Sequence, residues 1–172
     1  MTTRLATKDD LWAILDIHNE IILTTTAAPR IEPLTVVECA EWFRDHVASN
    51  SPIFVAATGA GRIVGWGALN RYHDRPAFRN TADDTICVTA AYRRQGIGKL
   101  LLSRVVDAAR RLDLRAVLAG IDPANEASIR LHRAFGFEEV GRFKEVGYKF
   151  GRRLDLLYLE LLLGPAPVTP SA

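Results

Sequence analysis

The stretch Arg93-Arg94-Gln95-Gly96-Ile97-Gly98-Lys99 joins three cations to two closely spaced glycines. It follows an apolar run, Thr85-Ile86-Cys87-Val88, and precedes Leu100 to Leu112, whose apolar residues recur at helical spacing. A strand handing over to a helix through glycines exposes the first N–H groups of that helix and the positive end of its dipole. Such a segment suits a pyrophosphate, with mobile charge from Arg93, Arg94 and Lys99. A P-loop needs a wider glycine spacing and a hydroxyl after its lysine, and Gly98-Lys99-Leu100 supplies neither. A dinucleotide fold needs a third glycine where Leu101 stands. Taken alone, Gly96 and Gly98 also fit a plain turn that opens a helix.

Further along, Asn125-Glu126-Ala127-Ser128-Ile129-Arg130-Leu131-His132-Arg133-Ala134-Phe135-Gly136-Phe137 reads as a complete short helix. Asn125 is a good N-cap, Glu126 and Ser128 suit a first turn, and Gly136 is placed for a left-handed cap. Ile129, Leu131, Ala134 and Phe135 are the expected buried side. His132 can titrate near neutral pH, and it can also be a packed helix histidine. Before the glycine loop, Thr81-Ala82-Asp83-Asp84 puts two carboxylates on one strand, where regular pleating sends their side chains to opposite faces. Arg75 and Arg79 flank Pro76-Ala77-Phe78 just ahead of that strand. A guanidinium is well shaped to hold a carboxylate or phosphinate through paired hydrogen bonds, although loop arginines often do nothing specific.

Arg-x-x-Gly-x-Gly after a strand, then a strand from Ala116 to Ile121, then Asn-x-x-Ser-x-x-Leu-His-x-x-x-Gly-Phe, resembles the GNAT superfamily of N-acetyltransferases. His18-Asn19-Glu20 with Thr24-Thr25-Thr26, Glu32-Pro33, the Arg75 to Arg79 segment and Phe143 to Gly151 look like its phosphinothricin and methionine sulfoximine branch. The resemblance runs from about Thr3 to Leu163. It implies an α/β fold with a central mixed, twisted sheet, splayed at an acetyl-CoA site and flanked by helices. It also implies direct acetyl transfer, without a covalent acyl-enzyme, to the α-amine of a small amino acid or analogue.

By that resemblance, acetyl-CoA is held by Ile86, Cys87 and Val88, by Arg93, Arg94, Gln95, Gly96, Ile97, Gly98 and Lys99, and by Asn125 and Ser128. Arg75 and Arg79 bind the acceptor, Asp83 takes its proton, and His132 accepts or donates a proton. No metal is implied. The branch carries Glu where this chain has Asp83, so the shorter carboxylate points to relay through a water. Ala27-Ala28-Pro29-Arg30 replaces an aromatic after the threonines, and Arg153 stands where an aromatic is common, which favours a different and more acidic acceptor. Two other readings stay open: acetylation of a protein or peptide N-terminus, and a module that senses acetyl-CoA without turnover.

Composition agrees with one globular enzyme. A chain of 172 residues that is 48% hydrophobic can bury a substantial core, with no room for a second catalytic domain. Twenty-two basic and 20 acidic residues, interspersed to a net +2, give little support for nucleic acid as a partner. Cys39 and Cys87 form no metal or disulfide pattern. Neither a signal peptide nor a membrane span is visible, so a cytoplasmic protein is expected. Helices are expected after Asp9-Asp10 and after Thr35, and strands at Ile53 to Ala57, Arg62 to Leu69, Thr81 to Val88, Val117 to Ile121, Phe137 to Phe143 and Leu154 to Leu163. Residues 1–163 are expected to form a single acetyltransferase domain, with 164–172 as a Pro-rich mobile tail. Trp12, Trp42 and Trp66 are expected in the core. The last two strands are apolar enough for a dimer interface, and the resemblance implies a homodimer.

Overall fold

The computed structural model of the protein describes residues 1–164. From Pro165 on, the expected tail lies outside the described residues. The chain runs β1 (Thr2–Leu5), α1 (Leu11–Thr24), α2 (Val36–Ala48), β2 (Ile53–Ala57), β3 (Ile63–Arg71), β4 (Thr81–Val88), α3 (Ile97–Arg111), β5 (Ala116–Ile121), α4 (Glu126–Arg133), β6 (Glu138–Lys149) and β7 (Arg152–Leu162). All seven strands join one sheet in the order β1-β2-β3-β4-β5-β7-β6. Every pairing is antiparallel except β4 with β5.

Each face of the sheet carries its own core. On one face, α1 and α2 cover Val55, Trp66, Ala68 and Cys87 with Ile14, Ile17, Ile22 and Phe43. On the other, Leu101, Leu102, Val105 and Val106 of α3 pack on Val64, Val117, Ala119 and Leu159. The local reasons are plain. Thr35 caps α2 by accepting from the Glu38 N–H, while Glu38 accepts from the Thr35 N–H at 2.8 Å, a reciprocal capping box. Asn125 accepts from the Ser128 N–H at 3.2 Å and opens α4, and Gly136 ends that region at φ 88°.

Four expectations need correction. The short β1 was not foreseen, because its four residues are mixed in polarity and only pairing with β2 makes them a strand. Trp12 is 65% exposed: Leu11, Ile14 and Leu15 turn inward, and the next position around the helix turns out. The buried residue of α4 is His132, while Ala134 is exposed. β6 continues six residues beyond Phe143 to Lys149, across an irregularity between Phe143 and Gly147 that alternation alone does not show.

Close approach of α3 to the sheet depends on β3. A Cβ at Gly65 would sit 2.8 Å from the Cys87 carbonyl oxygen and 3.2 Å from Leu101 Cδ1. Because the first obstacle is backbone, Gly65→Ala is expected to lower stability by about 1–3 kcal/mol, a fall of several degrees in Tm. Gly59→Ala, where nothing lies within 4 Å, should leave Tm unchanged in the same thermal scan.

Candidate active site

β4 and β5 stay paired over only three residue pairs, Thr81 with Ala116 to Asp83 with Leu118, and beyond them the strands part. Along β3, Trp66 lies opposite Cys87, and the Thr89 N–H donates to the Val64 carbonyl. Antiparallel alternation therefore spends the backbone groups of Cys87 on β3 and turns those of Ile86 and Val88 toward the gap. Within a sheet such groups need partners, and an extended ligand lying along the strand would supply them.

The glycine loop sits at the end of this gap. Gly96 adopts φ 82° at the N-cap of α3, with no side chain capping the helix and nothing within 4 Å of where a Cβ would stand. Left-handed backbone of this kind favours glycine, and the uncapped N–H groups that follow are free for an anion. Ile97 is buried in the core, so only its backbone is available there; Arg93, Arg94, Gln95 and Lys99 are exposed. Arg93 donates from Nε to the Val88 carbonyl at 3.0 Å, and Gln95 donates to the Ala91 carbonyl at 3.3 Å. Glu20, on α1, fixes the approach to the loop by accepting from the Thr89 hydroxyl and, at 2.7 Å, from the Ala90 N–H. Glu20 belonged to a sequence signature, but its task is visible only in space. These groups fit the pyrophosphate and extended arm of a coenzyme A thioester.

A cavity of about 690 Å³ opens at the splay and reaches both faces of the sheet. Asp83 and Asp84 line it from opposite sides. Asp84 points toward α4, where its carboxylate accepts from His132 Nε2 at 2.9 Å, with the two side chains 2% and 4% exposed. His132 Nδ1 lies 2.7 Å from the Ser128 carbonyl. Both partners are acceptors, so the arrangement suits a ring carrying both protons. Burial pushes the His132 pKa down, but the hydrogen bond and charge of Asp84, with the Ser128 carbonyl, outweigh it and leave a net rise. Neither ring nitrogen is free to face the cavity. Phe137 packs edge-on against the same ring, 5.0 Å between centroids.

Asp83 faces the α1/α2 side, directly opposite Asn70. Among the described residues its carboxylate has no hydrogen-bond partner. Burial first, and then the charge of Asp84, push its pKa up to about 6. Nearby, Asn70 donates to the Thr85 hydroxyl at 2.9 Å, and its carbonyl side lies 3.1 Å from His46 Nε2. Burial and the charges of Asp83 and Tyr72 raise the pKa of Tyr158, keeping its phenol protonated. The Cys87 thiol is pushed up to about 12, chiefly by burial, and is no nucleophile.

The structure thus brings together Asp83, Ile86, Cys87, Asn125, Ser128 and His132 around one cavity. It does not bring Arg75 and Arg79 to the wall. Both are exposed in the segment between β3 and β4, outside the cavity lining. The residues that sequence reasoning missed there are His18, Trp66 and the ion-paired role of Asp84. No group of three or more metal-ligating side chains occurs among the described residues, and no described helix is long and apolar enough to cross a membrane.

Known proteins are similar to this chain in sequence and fold. The chain is 35% identical over 161 residues to an L-methionine sulfoximine/L-methionine sulfone acetyltransferase of Pseudomonas aeruginosa, covering 94% of each. It is 35% identical to a phosphinothricin N-acetyltransferase of Streptomyces coelicolor, covering 91% of this chain and 93% of the relative. Among solved structures, a GNAT superfamily phosphinothricin acetyltransferase from Sinorhizobium meliloti in complex with acetyl-CoA superposes with a TM-score of 0.94 at 34% identity, over 99% of this chain and 92% of that one. The model of the acetyltransferase (GNAT) family matches residues 14–137, most of the splayed sheet and both motifs, and the chain belongs to that family.

Proposed function

We propose that this enzyme acetylates the α-amine of a small amino acid or amino-acid analogue, of the methionine sulfone or phosphinothricin kind. As a member of the GNAT family it is an N-acetyltransferase with acetyl-CoA as donor. The observation that carries the acceptor reading is Asp83, an uncommitted carboxylate with a pKa of about 6 on the wall of a bounded cavity, beside the splay. An amine attacks only when neutral, and a base poised near the working pH removes its proton most effectively. The names of the relatives supply the acceptor class.

Acetyl-CoA supplies the activated acetyl group. The chain's own residues do the rest. The N–H groups of Ile86 and Val88 face the gap and serve as donors to a developing oxyanion. Asp83 takes the amine proton, directly or through a water, as the amine nitrogen bonds to the acetyl carbon and the thioester C–S bond breaks; the proton passes on through solvent to the departing thiolate, which leaves as the thiol. His132 acts through its charge and by pinning α4 to β4, because both its nitrogens are engaged. Asn125, Ser128 and the Arg93 to Lys99 segment hold the donor. Arg75 and Arg79 are assigned to the acceptor carboxylate because their segment enters β4 just ahead of Asp83, although neither lines the cavity in the structure. Residues 1–163 act as one domain. The long outer edge of β6, with Val140, Phe143, Val146 and Tyr148 more than half exposed, supports a homodimer. Dependence on acetyl-CoA supports a cytoplasmic site of action, and acetylation of a toxic analogue would give resistance to it.

Thiol release from acetyl-CoA with methionine sulfone, methionine sulfoximine, phosphinothricin, ordinary amino acids and short peptides tests the reading. Release with the free amino acids or their analogues is expected; response to peptides alone overturns it. Asp83→Asn should lower kcat by about a hundredfold or more while the fold is retained. In the parent enzyme kcat/KM should rise with pH through about 6, and the variant should lose that limb.

Stability carries its own signature. Asp83 titrates at about 6 when folded against 3.8 for an ordinary side chain, so the folded state binds the extra proton and stability falls as pH rises through that window. His132 is raised above 6.5, so its contribution is complete below 6.5 and is lost as pH rises through the higher folded value. Tm measured from about pH 4 to 8 should decline, and Asp83→Asn should remove the lower part of the slope.

A further inference from the structure

The cavity wall on the α1/α2 side is asymmetric in charge. Four aspartates line the cavity, and three are committed: Asp84 to His132, Asp122 to the Thr26 hydroxyl and the Ala124 N–H, and Asp155 to Arg142 and the Glu145 N–H. Among the described residues only Asp83 is left for an amine. Among the described residues, Arg30 is the one lysine or arginine that lines the cavity.

Arg30 is aimed rather than adrift. Its Nε donates to the Glu32 carbonyl at 2.9 Å and its Nη2 to Glu38 at 2.5 Å, and Nη1 has no protein partner among the described residues. Glu38 is itself fixed by the capping box of α2. The loop that carries Arg30 is tied at three further points. Thr26 donates to Asp122 at 2.5 Å, Lys149 donates to the Ala28 carbonyl at 2.9 Å, and Asn19 holds both backbone groups of Leu34, at 2.8 and 3.0 Å.

The surroundings of Arg30 are rich in unpartnered donors. His18 lines the cavity with no hydrogen bond to either ring nitrogen among the described residues, and it is kept neutral by burial and then by the charge of Arg30. The ring of Trp66 lies 5.3 Å from that of His18, and its indole N–H is buried without an acceptor among the described residues. The remaining Nη1 of Arg30, a side chain ion-paired to Glu38 and 42% exposed at the cavity rim, joins the imidazole and the indole N–H in calling for an occupant that brings acceptor oxygens.

We infer that Arg30, with His18 beside it, forms a subsite for a negatively charged group on the acceptor's side chain. An amino acid whose amine meets Asp83 then extends its carboxylate or phosphinate to Arg30. The enzyme prefers anionic side chains to neutral ones of similar length. This rests on the acceptor reading given above and adds the side-chain class to it.

The test compares the parent enzyme with Arg30→Ala and Glu38→Gln on phosphinothricin and glutamate, which are anionic, and on methionine sulfone and norleucine, which are neutral. Thiol release gives kcat and KM, and calorimetry with CoA present gives affinity independently of turnover. Arg30→Ala should raise KM and Kd for the anionic acceptors about tenfold or more and leave the neutral ones within about twofold. Glu38→Gln keeps a capping residue at that position but frees the guanidinium of its counter-charge, so it should shift preference further toward the anionic acceptors. A uniform loss across all four, a loss in both variants alike, or no change overturns the inference, as does the absence of any heat with the anionic compounds. Should the parent bind the anionic compounds through Arg30 without releasing thiol, the subsite stands and the acceptor reading falls. If Arg30→Ala does not fold, the direction of the Glu38→Gln shift decides.

Discussion

The parting of β4 from β5 after three residue pairs is the constraint on which the rest of the structure depends. A sheet that stops pairing in its middle leaves backbone donors and acceptors that must find other partners. Here they are left for an extended ligand to pair with, and much of the surrounding architecture serves to keep the strands apart in a fixed way. β3 holds β4 on its far side from Ala82 to Val88, and β7 holds β5 along its whole length. The gap is bounded by two strands that are each fully paired elsewhere. It can be open without being loose.

The same parting explains how two adjacent carboxylates come to differ. Strand alternation sends Asp83 and Asp84 to opposite faces, and at an intact stretch of sheet each would meet a sealed core. At the splay both meet the cavity, yet only Asp84 finds a cation, because α4 delivers His132 to that face alone. Asp83 receives the desolvation without a partner of its own, and the charge of Asp84 beside it adds to the rise. An ordinary pair of neighbours in sequence thus becomes one structural ion pair and one titratable group near neutrality. Breaking the ion pair by removing one member leaves a buried charge, which makes it a constraint on the fold as much as on the chemistry.

What could be read from the sequence was whatever is local. Thr35 and Glu38, Asn125 and Gly136, and the run from Thr81 to Val88 declared their elements because caps, turns and alternation act over a few residues. Motif order pointed to the donor site for the same reason. β1 escaped notice because four residues of mixed polarity become a strand only when β2 is beside them. The wall of the acceptor cavity was harder still. Arg30 was seen as a departure from a pattern, but its aim depends on Glu38, on Glu32 and on a loop tied to Asp122 and Lys149 from the far end of the chain. The partner of His132 was equally hidden, since a helix histidine and a strand aspartate 48 residues apart carry no shared signal.

Three consecutive residues of α1 show how one element can serve every part of the site. On a helix, neighbours in sequence point about 100° apart, so a run of three spans most of the circumference. His18 reaches the cavity, Asn19 grips the backbone of Leu34, and Glu20 holds Thr89 and Ala90 at the entry to the glycine loop. The loop that aims Arg30 and the loop that offers the N-terminus of α3 are therefore referenced to the same rigid body. Ile14, Ile17 and Ile22 anchor that body in the core beneath. A shift of α1 would move the Arg30 loop and the glycine loop together, preserving their spacing. For a reaction in which two substrates must meet at one splay, a common reference of this kind protects the geometry better than two independent anchors of equal strength.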